Sequence, residues 1–341
     1  MQVETTIVAQ NLAAYAEQAK RLEEIGYDCV VTPEAGHDPF LPLTVIAEHT
    51  QHMKFGTAVA IAFPRSPMVT AQLAWDLQRF SNGRFMLGLG TQVKGHNERR
   101  YSTAWPSPPG PRLKDYILTM KAIFKTFQEA GSKPTFYTGP HYQFSLITPF
   151  FSPGPNTDGH VPIYISAVNR YNCRLVGEIC DGIRMHGFNT EKYTNEVIIP
   201  EIEKGAAKAG RKLSDIDIVG GAFVITGKNE EEVERAKAPV RQQLSFYAST
   251  RAYHPVLKVM GWDVGDQLFR LSMEGKWQDM AKAITDDMLQ EFAIIGTYDE
   301  LVSKLKARYR GVVNTLDFGF GVRTPEDHER LAFIVQELKK G

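Results

Sequence analysis

The chain has 341 residues, of which 43% are hydrophobic and 23% charged, as is typical of a globular protein with a sizeable core. Its 39 basic and 39 acidic residues balance, which argues against nucleic acid or an anionic membrane as a partner. The N-terminal stretch lacks the pattern of a signal peptide or membrane span, so we expect a cytoplasmic protein. The three cysteines and nine histidines show no metal-ligand spacing, so no metal site is predicted.

Short apolar segments alternate with amphipathic segments along most of the chain, which predicts strands that alternate with helices. The predicted strands are residues 2–9, 27–32, 56–62, 84–89, 161–166, 181–185, 216–226 and 312–318. N-cap signals precede several predicted helices, among them Asn11, Ser66 and the capping-box pair Thr297 and Glu300. Residues 246–288 are predicted to be helical, without a strand.

Residues 55–90 are the most informative stretch, because strand, helix, turn and strand follow within the length of one parallel βαβ unit. Gly88 and Gly90 expose backbone on which a flat ring or a phosphate could lie, although easier packing explains them equally well. A dinucleotide-binding loop is disfavoured because Val93 replaces its third glycine and the polar residues 94–100 predict no helix.

The alternation breaks after Gly90. Residues 91–111 contain several prolines and no clear periodicity, and a predicted hairpin at 135–146 and a Pro/Gly-rich loop at 148–159 follow later. We therefore predict that residues 91–160 are mostly an insertion that carries lid loops. Trp105, Tyr137 and Tyr142 are the predicted walls of a substrate pocket beneath them.

Eight strands that alternate with helices, without a linker-like run, predict an α/β fold: one (β/α)8 TIM barrel over residues 1–341, with an insertion after strand four. Such barrels hold their active sites at the carboxyl ends of the strands. The positions to examine there are Glu34, His37, residues 58–63, 90–96 and 166–170, and His186.

Several motifs give the chain a resemblance to a known family. They are GTAV at residues 56–59, NGRFMLGLGTQ at 82–92, VPIYISAVNR at 161–170 and IIGTYDEL at 294–301. With them the whole chain resembles the luciferase-like monooxygenase family, and most closely its branch that uses the deazaflavin coenzyme F420. The resemblance implies a TIM barrel, often a homodimer, that passes a hydride between a flavin or deazaflavin and a small organic substrate.

The resemblance also implies a cofactor site. A non-proline cis peptide between Ala58 and Val59 is expected to push the backbone against the ring, and residues from the end of strand five are expected to hold the phosphate at a helix N-terminus. The implied cofactor-binding residues are Ala58, Val59, Ala60, Gly88, Gly90, Thr91, Gln92, Ser166, Ala167, Val168, Asn169 and Arg170.

Hydride transfer to a carbon that bears oxygen or nitrogen needs a proton partner, and three residues are catalytic candidates. Glu34 occupies the family's carboxylate position, His37 follows three residues later, and His96 lies on the long loop. The sugar-phosphate dehydrogenase of the family has an Asp-His pair where this chain has Glu34 and Ala35, and a glutamate where it has Val93. Glucose 6-phosphate is therefore a poor candidate substrate.

Three alternatives to a deazaflavin oxidoreductase stay open at this point. One is an FMN-dependent monooxygenase of the same family. Another is a non-catalytic flavin-binding barrel, since the histidine of the Asp-His pair is absent. An unrelated barrel enzyme such as an aldolase is disfavoured, because no lysine stands at the end of a predicted strand to form a Schiff base.

Overall fold

The computed structural model describes residues 1–322 and 324–340, in which short strands alternate with helices. The strands of the described chain are β1 Gln2–Thr6, β2 Cys29–Thr32, β3 Lys54–Thr57, β4 Ala60–Ile61, β5 Phe85–Gly90, β6 Tyr137–Thr138, β7 Gln143–Phe144, β8 Ile163–Ser166, β9 Gly182–Arg184, β10 Asp217–Gly220, β11 Phe223–Gly227, β12 Ala293–Thr297 and β13 Thr315–Asp317.

The α-helices of the same ranges include the long helices that cover the barrel and a group of short ones between β11 and β12. They are α1 Leu12–Ile25, α2 Leu41–His49, α3 Pro67–Phe80, α4 Lys94–Arg100, α5 Pro109–Gln128, α6 Arg170–Ile179, α7 Glu191–Tyr193, α8 Ile199–Lys208, α9 Glu230–Ala248, α10 His254–Met260, α11 Gly265–Met273, α12 Trp277–Lys282, α13 Asp286–Phe292, α14 Tyr298–Tyr309 and α15 Pro325–Lys339.

Eight parallel strands close into a ring in the order β3, β2, β1, β13, β10, β9, β8 and β5, and β5 pairs again with β3. Every pairing in the ring is parallel, so helices must cross over between strands and cover the outside. The predicted TIM barrel is confirmed.

The third barrel strand is interrupted between Thr57 and Ala60. The peptide bond between Ala58 and Val59 is cis, as predicted, and it separates β3 from the short strand β4. β4 continues the pairing with β5 through Ala60 opposite Leu89.

The seventh strand differs from the prediction of one strand over residues 216–226. The chain leaves the barrel after β10, and β11 pairs instead with β12 in a separate two-stranded parallel sheet. Residues 293–297 were not predicted to be a strand, because an apolar run this short does not distinguish a strand from the end of a helix.

The predicted helix starts are confirmed. The side chains of Asn11 and Ser66 accept hydrogen bonds from backbone amides three residues later, at 2.9 and 3.2 Å. Thr297 and Glu300 form the capping box that opens α14. These contacts satisfy amide groups that a helix leaves unpaired at its N-terminus, and they are local enough to be predicted from sequence.

The region between the fourth and fifth barrel strands contains more regular structure than predicted. The prediction that no helix forms at residues 94–100 is wrong, because α4 spans them, and its Asn97 side chain donates to the carbonyls of Thr91 and Val93 at 2.9 and 3.1 Å. The predicted hairpin is present as β6 and β7. α5 packs against α3 and α6 as a barrel helix.

Two features are absent from residues 1–322 and 324–340. No helix there is both long and apolar enough to cross a membrane. No three His, Cys, Asp or Glu side chains in the same ranges come together as metal ligands could. Cys29, Cys173 and Cys180 are free and buried.

Candidate functional site

A cavity of about 800 Å³ opens at the carboxyl ends of the barrel strands. Ala58, Val59 and Ser166 line one side of it. Residues from outside the barrel line the other side, namely Phe223 on β11, and Val240, Gln243 and Tyr247 on α9. Glu4, Arg184 and Asp317 line it from the barrel strands themselves. Its volume lies within the range of small-molecule sites, and its position is that of TIM-barrel active sites.

An ion pair closes the barrel beneath this cavity. Arg184 Nη1 lies 2.6 Å from Glu4 Oε1, and the two side chains are only 6% and 2% exposed. Burial alone would lower the pKa of Arg184, but the charge and hydrogen bond of Glu4, together with the effects of Cys29 and Tyr164, raise it. The guanidinium also lies over the ring of Tyr164, 5.3 Å from its centroid. The pair therefore stays charged inside the barrel.

Asp317 is the second carboxylate of this group. It stands opposite Glu4 in the register of β1 and β13, so both side chains belong to the same face of the sheet. Protein surrounds Asp317, yet its side chain is open to water from the cavity. Burial, followed by the negative charge of Glu4, raises the pKa of Asp317 to about 7, against a smaller opposing effect of Arg184.

His186 follows β9 and lines the same cavity. Its Nδ1 accepts a hydrogen bond from the backbone amide of Phe188 at 2.9 Å, which leaves the proton of the neutral ring on Nε2. The rings of Tyr247 and Tyr253 lie 4.5 and 4.8 Å from it, centroid to centroid. Burial lowers the pKa of His186 to about 4, so this side chain is a neutral hydrogen-bond donor at pH 7.

Three of the predicted cofactor residues, Ala58, Val59 and Ser166, line the cavity. The predicted ring wall at Gly88 and Gly90 does not line the cavity in the described chain. A Cβ on Gly88 would lie 2.0 Å from the backbone carbonyl oxygen of Thr57, and one on Gly90 would lie 2.7 Å from a methyl group of Val59. Both glycines thus allow other parts of the protein to approach closely.

Three further predicted cofactor residues make contacts with neighbouring parts of the protein, namely Ala60, Thr91 and Gln92. Ala60 is buried in the pairing with β5. The Thr91 hydroxyl donates to the carbonyl of Gln92 at 3.0 Å, and the Gln92 side chain accepts from the amide of Val93 at 2.9 Å. None of these three lines the cavity in the described chain.

The predicted phosphate segment follows β8 into α6. Ala167 is buried, and the Val168 carbonyl accepts a hydrogen bond from Tyr193 at 2.9 Å. Asn169 caps the helix through Asn172. Arg170 pairs with Glu201 on α8 at 2.9 Å, so its guanidinium is held on the outside of the barrel.

The three predicted catalytic side chains do not come together at the cavity. The Glu34 side chain is 5% exposed and pairs with Arg65 at 2.7 Å. Tyr101 donates to its other oxygen at 3.3 Å. His37 and His96 are exposed, and none of the three predicted residues lines the cavity.

The predicted walls Trp105, Tyr137 and Tyr142 also lie away from the cavity lining. Trp105 packs edge-on against Phe63, with centroids 6.0 Å apart. Tyr137 donates to Asp115 at 2.6 Å. Tyr142 accepts from a guanidinium of α5 at 2.8 Å. These aromatic residues anchor the insertion to the barrel.

The sequence interpretation missed Glu4, Arg184 and Asp317. Each is a charged residue inside a predicted barrel strand, and a charge at a position that the barrel buries is itself an unusual signal. That signal could have identified them. Their mutual contact could not be predicted without the register of the closed barrel.

The sequence profile of the luciferase-like monooxygenases matches residues 1–315. The chain belongs to the luciferase-like monooxygenase family. A Mycobacterium tuberculosis protein described as uncharacterised is 39% identical to this family member over 308 residues, 90% of each chain. A putative coenzyme F420-dependent oxidoreductase of that species is 28% identical over 86% of each chain. The 5,10-methylenetetrahydromethanopterin reductase of Archaeoglobus fulgidus is 24% identical, over 94% of this chain and 92% of that one.

Solved structures of the family share its fold. The coenzyme F420-dependent tetrahydromethanopterin reductase of Methanopyrus kandleri superimposes with a TM-score of 0.78, at 20% identity over 99% of this chain and 98% of that one. An F420-dependent secondary alcohol dehydrogenase gives 0.76 at 17% identity over 99% of each chain. The oxygenating constituent of 3,6-diketocamphane monooxygenase from Pseudomonas putida, in complex with FMN, gives 0.71 at 14% identity over 99% and 97%. The fold therefore accommodates both kinds of cofactor.

Proposed function

We propose that this protein is a coenzyme F420-dependent oxidoreductase that transfers a hydride between the deazaflavin and a small organic substrate. The observation that carries the proposal is the cavity at the carboxyl ends of the strands, lined by Ala58, Val59 and Ser166. The name of a relative at 28% identity, a putative coenzyme F420-dependent oxidoreductase, favours the deazaflavin over FMN. The family resemblance further predicts a homodimer.

The residues that line the cavity suit a flat ring with a phosphate tail. Ala58 and Val59 present small apolar side chains, against which an aromatic ring packs well. Ser166 lies at the end of β8, just before the N-terminus of α6, where amide groups favour an anion. Residues 166–169 are therefore the proposed phosphate contacts, while Arg170 is already paired with Glu201.

The deazaflavin supplies a hydride acceptor or donor when it is bound. The protein's own contribution is to orient the ring and the substrate and to control water and protons. The buried pair of Glu4 and Arg184 closes the barrel below the cavity. His186 offers a neutral N–H to a substrate oxygen or nitrogen, and Tyr247 and Phe223 limit access from the side.

The test is a fluorescence titration of the purified protein with coenzyme F420 and with FMN. We expect F420 to bind at least about tenfold more tightly than FMN. Ser166→Tyr places a bulky side chain in the cavity and should abolish F420 binding. Ser303→Tyr, on the exposed face of α14, is the control and should leave F420 binding unchanged.

Tight binding of FMN alone would replace the proposal with the monooxygenase alternative. Binding of F420 that survives Ser166→Tyr would contradict the proposed location. A panel of secondary alcohols, with loss of the absorbance of oxidised F420 as the readout, then separates an enzyme from a non-catalytic carrier.

A further inference from the structure

We propose that Asp317 is the group that takes the proton from the substrate, or returns it, when the hydride is transferred. This inference rests on the proposed function and adds a residue that the sequence resemblance did not indicate. Asp317 is the last residue of β13, at the carboxyl edge of the barrel, and it lines the cavity. That location is where catalytic residues of TIM barrels lie.

Two neighbouring carboxylates lie in different surroundings, because one is paired with a cation and the other is not. Glu4 and Asp317 are opposite each other on β1 and β13. Glu4 is committed to Arg184 at 2.6 Å and is almost fully buried. Asp317 has no cation within salt-bridge distance in residues 1–322 and 324–340, and its side chain is open to the cavity. Glu4 is therefore a fixed charge, while Asp317 can exchange a proton.

The charges around Asp317 favour its protonation. The charged side chains that face it are Glu4 on β1 and Arg184 on β9. The nearby titratable tyrosines are Tyr27, before β2, and Tyr309, at the end of α14, both of which stay neutral because burial raises the pKa of each phenol. Two carboxylates therefore share one guanidinium, and a proton on Asp317 neutralises the group.

The other candidate groups for proton transfer are less suitable than Asp317. Glu34 is held by Arg65 and by a backbone amide, and it does not line the cavity. His37 and His96 are exposed elsewhere. His186 lines the cavity, but its Nδ1 is occupied and burial disfavours its charged form, so it suits hydrogen bonding better than proton storage. Among these five acid/base groups, Asp317 best combines access to the cavity with a pKa near neutrality.

In the oxidation of a secondary alcohol, each bond that breaks is matched by a bond that forms. The carbinol C–H bond breaks and its electron pair leaves with the hydrogen to the oxidised deazaflavin. The O–H bond breaks, its proton joins the Asp317 carboxylate, and a C=O bond forms. Reduction of a ketone runs the same changes backwards, with neutral Asp317 as the donor. An amine and imine pair would use the same group in the same way.

Titration of the carboxyl groups by ¹³C NMR on the ligand-free protein tests the premise without turnover. We expect one aspartate to titrate near pH 7, to be absent from Asp317→Asn, and to move to lower pH in Glu4→Gln, which removes the neighbouring negative charge. Asp217→Asn changes an aspartate outside the cavity, bonded to Tyr164 at 2.9 Å, and should leave that signal in place. No raised aspartate, or one that persists in Asp317→Asn, would overturn the inference.

Calorimetry of F420 binding in buffers of different ionisation enthalpy tests the link to the cofactor. A ring that covers Asp317 removes water from it and raises its pKa further, so binding between pH 7 and 8 should take up a fraction of a proton in wild type and in Asp217→Asn, but none in Asp317→Asn. On any alcohol that is oxidised, the wild-type rate should rise with pH through the Asp317 titration, and Asp317→Asn should lose about 10²-fold and the rise.

The outcomes separate the two proposals. Binding of F420 with no proton uptake that depends on Asp317 would refute the role of Asp317 and leave the proposed function standing. Absence of F420 binding at any pH, in a protein whose Asp317 still titrates near neutrality, would refute the proposed function and with it the proton transfer.

Discussion

The carboxylate of Glu34 accepts a hydrogen bond from the backbone amide of Ile61, 2.7 Å away. The same oxygen pairs with Arg65, also at 2.7 Å. Ile61 lies in β4, two residues after Val59, which lines the cavity wall together with Ala58. Glu34 therefore reaches the cavity indirectly, as a positioning residue for that wall.

Replacing Glu34 should cost stability. Glu34→Gln keeps the shape of the side chain but removes the charge that Arg65 needs, so we expect a loss of about 1–3 kcal/mol in the free energy of unfolding by urea. Asp38→Asn is the matched control, because Asp38 pairs with the same guanidinium at 2.7 Å from a more exposed position. It should lose less than about 1 kcal/mol. Equal effects would remove the structural role given to Glu34.

Replacing Arg170 should leave the affinity for F420 nearly unchanged. Its guanidinium pairs with Glu201, and Arg174 and Lys204 also contact that carboxylate, so Arg170→Ala leaves Glu201 with partners. We expect the dissociation constant to change by less than about threefold. A loss of tenfold or more, the size of one charge-assisted contact, would return Arg170 to the phosphate site.

His186 should make the protein less stable in acid. Its pKa is about 4 when folded, against an ordinary value of 6.5 for histidine, so the unfolded chain binds more protons between those values. The free energy of unfolding therefore falls as the pH drops from 6.5 to 4, by up to about 3 kcal/mol. His186→Asn can still accept from the Phe188 amide and should flatten this fall. His37→Ala, which changes an exposed side chain, should not flatten the fall. If the fall is the same in His186→Asn as in wild type, its assignment to His186 is contradicted.

Hydrogen exchange should locate the walls of the site. We expect F420 to slow exchange in residues 219–224 and 317–321, which line the cavity, because bound ligand stabilises the segments it contacts. The β6–β7 hairpin lies outside the lining and is the internal control. Protection confined to residues 91–111 and 136–151 would instead support the lid that the sequence predicts.

The features that could be predicted from the sequence are those that depend on residues close together in the chain. The helix cap at Asn11 and the capping box at Thr297 depend on residues three apart, and both were predictable. The barrel followed from the count of alternating strands. The cavity floor did not, because Glu4, Arg184 and Asp317 come from strands about 130 or more residues apart and meet only when the ring closes.

The departure of β11 from the barrel divides the cavity between two kinds of structure. Glu4, Arg184 and Asp317 belong to the closed ring, where a shifted strand would disturb every neighbour. Phe223 and Tyr247 belong to the two-stranded sheet and the helices between its strands. Changes in the latter segment can reshape which molecules enter while the groups below them stay in register, so selectivity and reactivity can be altered separately.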